Sequence, residues 1–179
     1  MTQTARLYGG SLYELAAEEQ LTDNILEEMK AIRRLFWENP DYVKLLADPA
    51  IPKEERKDLI EKTFGDQAER YLVNFLKMLC ERGILQEFAG CCEEFTRRYN
   101  ADHNIAEAVA VSAVPLSEKQ LQALQEKLEK ISGKKIALTQ KTDPSVLGGL
   151  RVEMEGKLMD GTVQGRLSGI SRKLNELVV

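Results

Sequence analysis

The sequence predicts an α+β protein: an N-terminal six-helix bundle over residues 1–104, followed by a small C-terminal α+β domain over residues 105–179. Three observations carry this. Up to Tyr99 the apolar residues recur at helical spacing between Gly and Pro breaks. From Ala106 to Val114 they become a small, β-branched run broken by charge only at Glu107, which reads as a buried strand. Charge changes sign at the same place: residues 1–105 hold 14 Lys and Arg against 20 Asp and Glu, net −6, and residues 106–179 hold 11 against 9, net +2. With domains typically of about 100–150 residues, 179 residues accommodate one domain or two small ones.

The first helix is expected over residues 4–19, with Tyr8, Leu12, Leu15 and Ala16 on one stripe. Gly9, Gly10 and Ser11 interrupt it, because small residues weaken a helix while admitting another backbone. Either a partner groove or close packing within the bundle accounts for them. The second helix opens with Thr22 or Asp23 as N-cap and carries Ile25, Met29, Ile32 and Phe36 until Asn39-Pro40 ends it. A short third segment holds Tyr42, Val43, Leu45 and Leu46 before Asp48-Pro49. The fourth starts at Pro52, suited to a first turn, with Glu54 and Glu55 matching the helix dipole and Leu59, Ile60 and Phe64 as its stripe. The fifth, residues 67–82, turns Tyr71, Leu72, Phe75, Leu76 and Leu79 inward and stops at Gly83. The sixth repeats Ile84, Phe88, Cys91, Cys92, Phe95 and Tyr99.

After the strand at residues 106–114, Ser117 and Gln120 form a capping box for a helix with Leu121, Leu124, Leu128 and Ile131, which ends at Gly133. Strands then return: Ile136 and Leu138 alternate with polar neighbours, as do Leu150, Val152 and Met154 with Arg151, Glu153 and Glu155. Asp143-Pro144, Gly156 and Asp160-Gly161 mark turns. Val163, Leu167, Ile170, Leu174 and Leu177 then make a closing amphipathic helix. The expected order is β-α-β-β-β-α.

Composition narrows the function. With 43% hydrophobic residues and a net charge of −4 the chain is too apolar for disorder, and no run reaches the roughly 18 apolar residues of a membrane span. No basic stretch leads into an apolar one near Met1, so no secretory signal is expected, and three cysteines fit a reducing compartment, the cytosol. Phosphate neutralisation needs clustered Lys and Arg, and no basic stripe exists, so no nucleic acid is expected as a ligand. His103 is the only histidine, which excludes a histidine-rich metal site. Cys91 and Cys92 splay about 100° apart on a helix and match no zinc spacing with Cys80, so they read as small buried hydrophobes. Gly9-Gly10 and Gly148-Gly149 lack the phosphate-cradling patterns, and Glu93-Glu94 reads as a solvated helix face. No catalytic, cofactor-binding or metal residue is assigned; a protein partner is the expectation.

Particular stretches carry a resemblance. Ala5-Arg6-Leu7-Tyr8 through Tyr13-Glu14-Leu15-Ala16, Asn39-Pro40 to Leu46-Ala47, Pro49-Ala50-Ile51-Pro52-Lys53-Glu54-Glu55-Arg56 and Phe75-Leu76-Lys77-Met78-Leu79 with Glu81-Arg82-Gly83 lie in the first domain. In the second stand Asp143-Pro144-Ser145-Val146-Leu147-Gly148-Gly149, Asp160-Gly161-Thr162-Val163 and Gly165-Arg166-Leu167. In order and spacing the chain resembles the delta subunit of F-type ATP synthases, the family of the mitochondrial oligomycin-sensitivity-conferring protein. It departs at Gly9-Gly10-Ser11, where the family usually writes Ala-Lys-Ala. Glu155-Gly156 stands for a usual Gly-Asp turn, and Glu153 for an often basic residue.

The resemblance implies a non-catalytic connector of the peripheral stalk, without cofactor, attached through the complex to the cytoplasmic face of the cell membrane. The bundle would take the N-terminal helix of an alpha subunit between its first and fifth helices, at Tyr8, Ser11, Leu12, Leu15, Asn74, Phe75, Met78 and Leu79. The second domain would meet the C-terminus of the stalk b subunit, with Val146, Leu147, Leu158, Met159, Val163 and Leu167 as candidates. The chain would be a monomer within a hetero-oligomer. An unrelated two-domain scaffold or adaptor that binds amphipathic helices is the alternative.

Overall fold

Helical periodicity becomes seven α-helices and four strands in the computed structural model, which describes residues 1–146 and 148–161. The chain divides into two compact units, Met1–Asn100 and a second beginning at Ala101. The fold is α+β, as expected.

The helices are α1 (Gln3–Glu18), α2 (Thr22–Glu38), α3 (Pro40–Ala47), α4 (Lys53–Phe64), α5 (Arg70–Glu81) and α6 (Phe88–Asp102), with a 3₁₀ turn at Leu85–Glu87. Thr2 caps α1, its Oγ1 accepting from the Ala5 N–H at 3.1 Å. The helix runs unbroken through Gly9-Gly10-Ser11, against the expected interruption. The expected cap of α2 is also corrected: Thr22 lies inside the helix and Leu21 occupies the cap without a side-chain bond. Backbone geometry does the work instead. Gln20 turns left-handed (φ 58°), which lets the Leu21 N–H reach Ala16 O at 2.8 Å and turns the chain directly into α2. Gly83 (φ 68°) ends α5 the same way, with the Ile84 N–H on Leu79 O at 2.9 Å. Ile84 therefore precedes the sixth helix rather than opening it.

The stripes meet in one apolar core. Ile25 and Met29 of α2, Leu46 of α3, Ile60 of α4, Leu72, Leu76 and Leu79 of α5, and Phe88 and Phe95 of α6 are essentially inaccessible. Full burial of each such side chain is worth about 1.5–3 kcal/mol. Phe36 packs its ring 5.4 Å from that of Phe88 and 6.2 Å from that of Phe64. Arg56, buried beside this core, donates from Nη1 to Leu46 O and from Nε to Ile51 O, both at 3.1 Å. It thereby satisfies a carbonyl in the last turn of α3 that helix geometry leaves open and another in the turn that leads into α4.

The two glycines of α1 explain the approach of α6. A Cβ on Gly9 would stand 2.5 Å from Cys91 O, and one on Gly10 2.5 Å from the Arg98 guanidinium. Gly90 of α6 returns the fit, since its Cβ would meet that of Ala5 at 2.7 Å. The small residues thus serve packing within the unit. Glu94, expected on a solvated face, is wholly buried. It accepts from Arg97 Nε at 2.8 Å and Nη2 at 2.7 Å and from Arg98 Nε at 3.0 Å, while Arg98 Nη1 also donates to Glu14 of α1 at 2.7 Å. These bonds, those of Arg97 first, hold its carboxyl down at about 2 despite burial.

In the second unit β1 (Ile105–Ser112) leads through α7 (Glu118–Ser132) to a parallel partner β2 (Lys135–Thr142), and β3 (Leu150–Met154) and β4 (Lys157–Asp160) follow as an antiparallel hairpin. The sheet order is β2-β1-β3-β4. Here β1 stops at Ser112, two residues short of expectation, because Ser112 Oγ donates to Val114 O at 2.7 Å and bends the chain ahead of Pro115. The Gln120 carbonyl of the capping box accepts from the Ser117 N–H at 2.9 Å, as read from the sequence. Ala106, Ala108, Leu128, Ile136, Val152 and Met154 form the core against which Leu124, Leu138 and Leu150 pack. Ile131, in the last turn of α7, is 72% exposed and does not join it. Glu155 and Gly156 link β3 to β4 with φ of 50° and 73°, the left-handed pair that a two-residue hairpin needs. The expected closing helix, with Ile170, Leu174 and Leu177, lies outside the described residues.

Candidate interaction site

On the helical unit, α1 and α5 border an open depression of about 840 Å³. From α1 come Thr4, Leu7 and Tyr8, and from α5 and its end Met78, Glu81 and Arg82; Lys53 and Ile84 complete it. Helical spacing explains the lining: Ala5, Gly9, Leu12, Tyr13 and Ala16 turn inward, which leaves the 4, 7, 8, 11, 15 stripe of α1 facing out. Leu7 is accordingly 65% exposed. Tyr8 is half-buried against the core with its ring beneath the Arg82 guanidinium, 5.8 Å from the centroid. Met78, also half-buried, offers a pliable apolar surface opposite.

Of the eight residues expected for the alpha-subunit contact, the structure brings Tyr8 and Met78 together in this depression. Ser11, Leu15 and Asn74 are exposed and continue the two stripes along α1 and α5. Leu12, Phe75 and Leu79 are core residues at 3%, 8% and 0% exposure, since a stripe wide enough to hold a helix in a bundle must turn part of itself inward. Leu7, Arg82 and Ile84 were not among the expected residues. The signal for Leu7 was present: a leucine one position off the buried stripe is apolar surface without a core role.

In the second unit Val146 is buried at 7% exposure, whereas Leu158 and Met159 are exposed at 59% and 37%. Successive residues of a strand point to opposite faces, so these two do not form one patch. Met159 pairs with Val152, on the face of the core, and Leu158 with Glu153 on the other. Leu147, Val163 and Leu167 lie outside the described residues.

Chemistry elsewhere is quiet. Cys80, Cys91 and Cys92 are buried, and burial pushes the Cys91 thiol up to about 11 and the Cys92 thiol to about 12, so neither holds reactive thiolate near neutral pH. Among the described residues no three His, Cys, Asp or Glu side chains gather to hold a metal ion, and no helix is long and apolar enough to cross a membrane.

The family model of the ATP synthase delta (OSCP) subunit matches residues 4–174. The ATP synthase subunit delta of Alkaliphilus oremlandii (strain OhILAs) is 33% identical over 175 residues, 98% of this chain and 97% of its own. That of Geobacillus sp. (strain WCH70) is 34% identical over 171 residues, 95% and 96% of the two chains. A chain in the cryo-EM structure of the Toxoplasma gondii mitochondrial ATP synthase hexamer shares the fold with a TM-score of 0.71 at 16% identity, covering 97% of this chain and 98% of that one. Matched along nearly its whole length by both the family model and these delta subunits, the chain belongs to the ATP synthase delta (OSCP) subunit family.

Proposed function

We propose that the protein is the non-catalytic peripheral-stalk connector of an F-type ATP synthase. Its helical unit, residues 1–104, takes the N-terminal helix of an alpha subunit between α1 and α5, and residues 105–179 meet the C-terminus of the stalk b subunit. It has no cofactor, is one copy in a hetero-oligomer, and lies at the cytoplasmic face of the membrane through that complex. The observation that supports this most is the α1 stripe at the depression: exposed Leu7 and half-buried Tyr8 line it opposite Met78, and exposed Leu15 continues the stripe along α1. A helix presenting residues at i, i+3/i+4 and i+7 fits such a groove. A connector under torque gains from this kind of contact, because buried apolar area is insensitive to the salt that screens surface charges.

Calorimetric titration of the full chain with a peptide of the alpha-subunit N-terminus tests the reading. Tyr8→Ala removes aromatic contact area, and Ser11→Trp places a bulky ring on the same stripe. Each should weaken binding by about 2 kcal/mol or more while melting stays native-like, as Ser11 is exposed and Tyr8 only half-buried at the edge of the core. Unchanged affinity in both variants would place the alpha-subunit contact elsewhere.

A further inference from the structure

A second depression, of about 660 Å³, shares no residue with the first. Phe36, Leu85 and Phe88 form its floor, Trp37 its wall, and Lys30, Arg33 and Arg34 its rim. The wall is 86% exposed, so the largest side chain in the protein stands in water beside an apolar hollow. The rim residues stand at i, i+3 and i+4 on α2 and form one short basic row, which the charge pattern along the chain, read as having no basic stripe, did not single out. No acidic residue lines the hollow, although residues 1–105 carry a net charge of −6. Lys30 pairs with Glu27 at 2.8 Å and Arg33 with Glu93 at 3.3 Å, but all four side chains are about half exposed or more, and such screened pairs hold their partners weakly. Arg34 makes no ion pair among the described residues.

We infer that this depression docks a helical segment of a partner protein whose apolar stripe is flanked by Asp or Glu. The aromatic floor accepts the stripe, Trp37 closes over it, and the basic row meets the carboxylates with charge-assisted hydrogen bonds. A concave floor favours inserted side chains over the flat face of a membrane. This site is independent of the α1–α5 groove.

Trp37 is the only tryptophan, so its emission reports occupancy directly. The probe is a designed helical peptide with leucines at i, i+3/i+4 and i+7 flanked by glutamates, titrated into the full chain alongside a twin with lysines for the glutamates. The glutamate peptide should shift Trp37 emission to shorter wavelength and bind at least about tenfold tighter than its twin. Arg34→Glu should weaken the glutamate peptide about tenfold and strengthen the lysine twin. Tyr8→Ala should leave both unchanged, which separates this site from the alpha-subunit groove. Absence of a shift, equal response to the two peptides, or indifference to Arg34→Glu would overturn the inference. A shift with phosphatidylglycerol vesicles and none with the peptide would overturn it in favour of a lipid surface.

Discussion

Single atoms decide how closely α1 and α6 pack. At Gly9 an added methyl would collide with the backbone of Cys91, which cannot move alone, whereas at Gly10 it would meet the flexible end of Arg98. Gly9→Ala should therefore lower stability by about 1–3 kcal/mol, read from urea midpoints, even though alanine is the better helix former by about 1 kcal/mol. Gly10→Ala should cost less, and a larger loss there would show that Arg98 is fixed in place. Glu94 ties pH to the same helix pair. Its carboxyl titrates at about 2 in the fold, below the ordinary 4.5, so its contribution is fully present above about pH 4.5 and is lost as pH falls through about 2. Glu94→Gln should cost about 2–3 kcal/mol at neutral pH, with the deficit against the parent protein closing as pH approaches 2. A deficit independent of pH would assign the loss to packing instead.

Element boundaries turn on left-handed residues. Gln20, Gly83 and Glu155 each adopt positive φ where one element must hand over to the next. Only Gly83 is free of the steric cost, about 1–2 kcal/mol for a residue bearing Cβ. Glu155→Asn should therefore raise the melting midpoint of the second unit by the equivalent of about 0.5–1 kcal/mol. The exposed Lys134–Glu155 ion pair that it removes is worth less than that. A lower midpoint would mean that this pair, and not backbone strain, governs the hairpin. Likewise Arg56→Ala should destabilise by about 2–3 kcal/mol, because it takes the Arg56 donor from Ile51 O and leaves Leu46 O with the weak Cys80 Sγ donor at 3.3 Å.

At the scale of the whole molecule, every residue of the first core lies between Ala5 and Phe95. A fragment of residues 1–104 should accordingly fold alone, with a helix-dominated circular dichroism spectrum, and bind the alpha-subunit peptide while losing b-subunit binding. Retained b-subunit binding by the fragment would refute the assignment of residues 105–179. The boundary itself is narrower than the chain suggests: α6 continues to Asp102, leaving His103 and Asn104, the latter at φ 54°, as the turn into β1. Limited proteolysis should cut there, rather than throughout residues 100–104.

Period determined the fold class, the helix order and strands β1 to β3 among the described residues, and most of the core, because apolar spacing near 3.6 or 2 is a local property that burial only ratifies; β4, exposed along its length, carries no such spacing. The capping box at Ser117 and the stop at Gly83 were legible for the same reason. Family membership was legible too, since motifs in order along the chain need no coordinates. Tertiary structure alone decided which side of a stripe faces out. Leu12, Phe75 and Leu79 share stripes with Tyr8 and Met78, yet the first three fill the core and the last two border the groove, a division set by where neighbouring helices lie. It also decided the meaning of Gly9-Gly10, which serves α6 rather than a partner, and the burial of Glu94, whose cost two arginines offset. The approach of α6 to α1 depends on distances between residues about 80 positions apart, which no local pattern encodes, whereas the arginines at i+3 and i+4 from Glu94 are a local pairing whose burial only the packed helices decide.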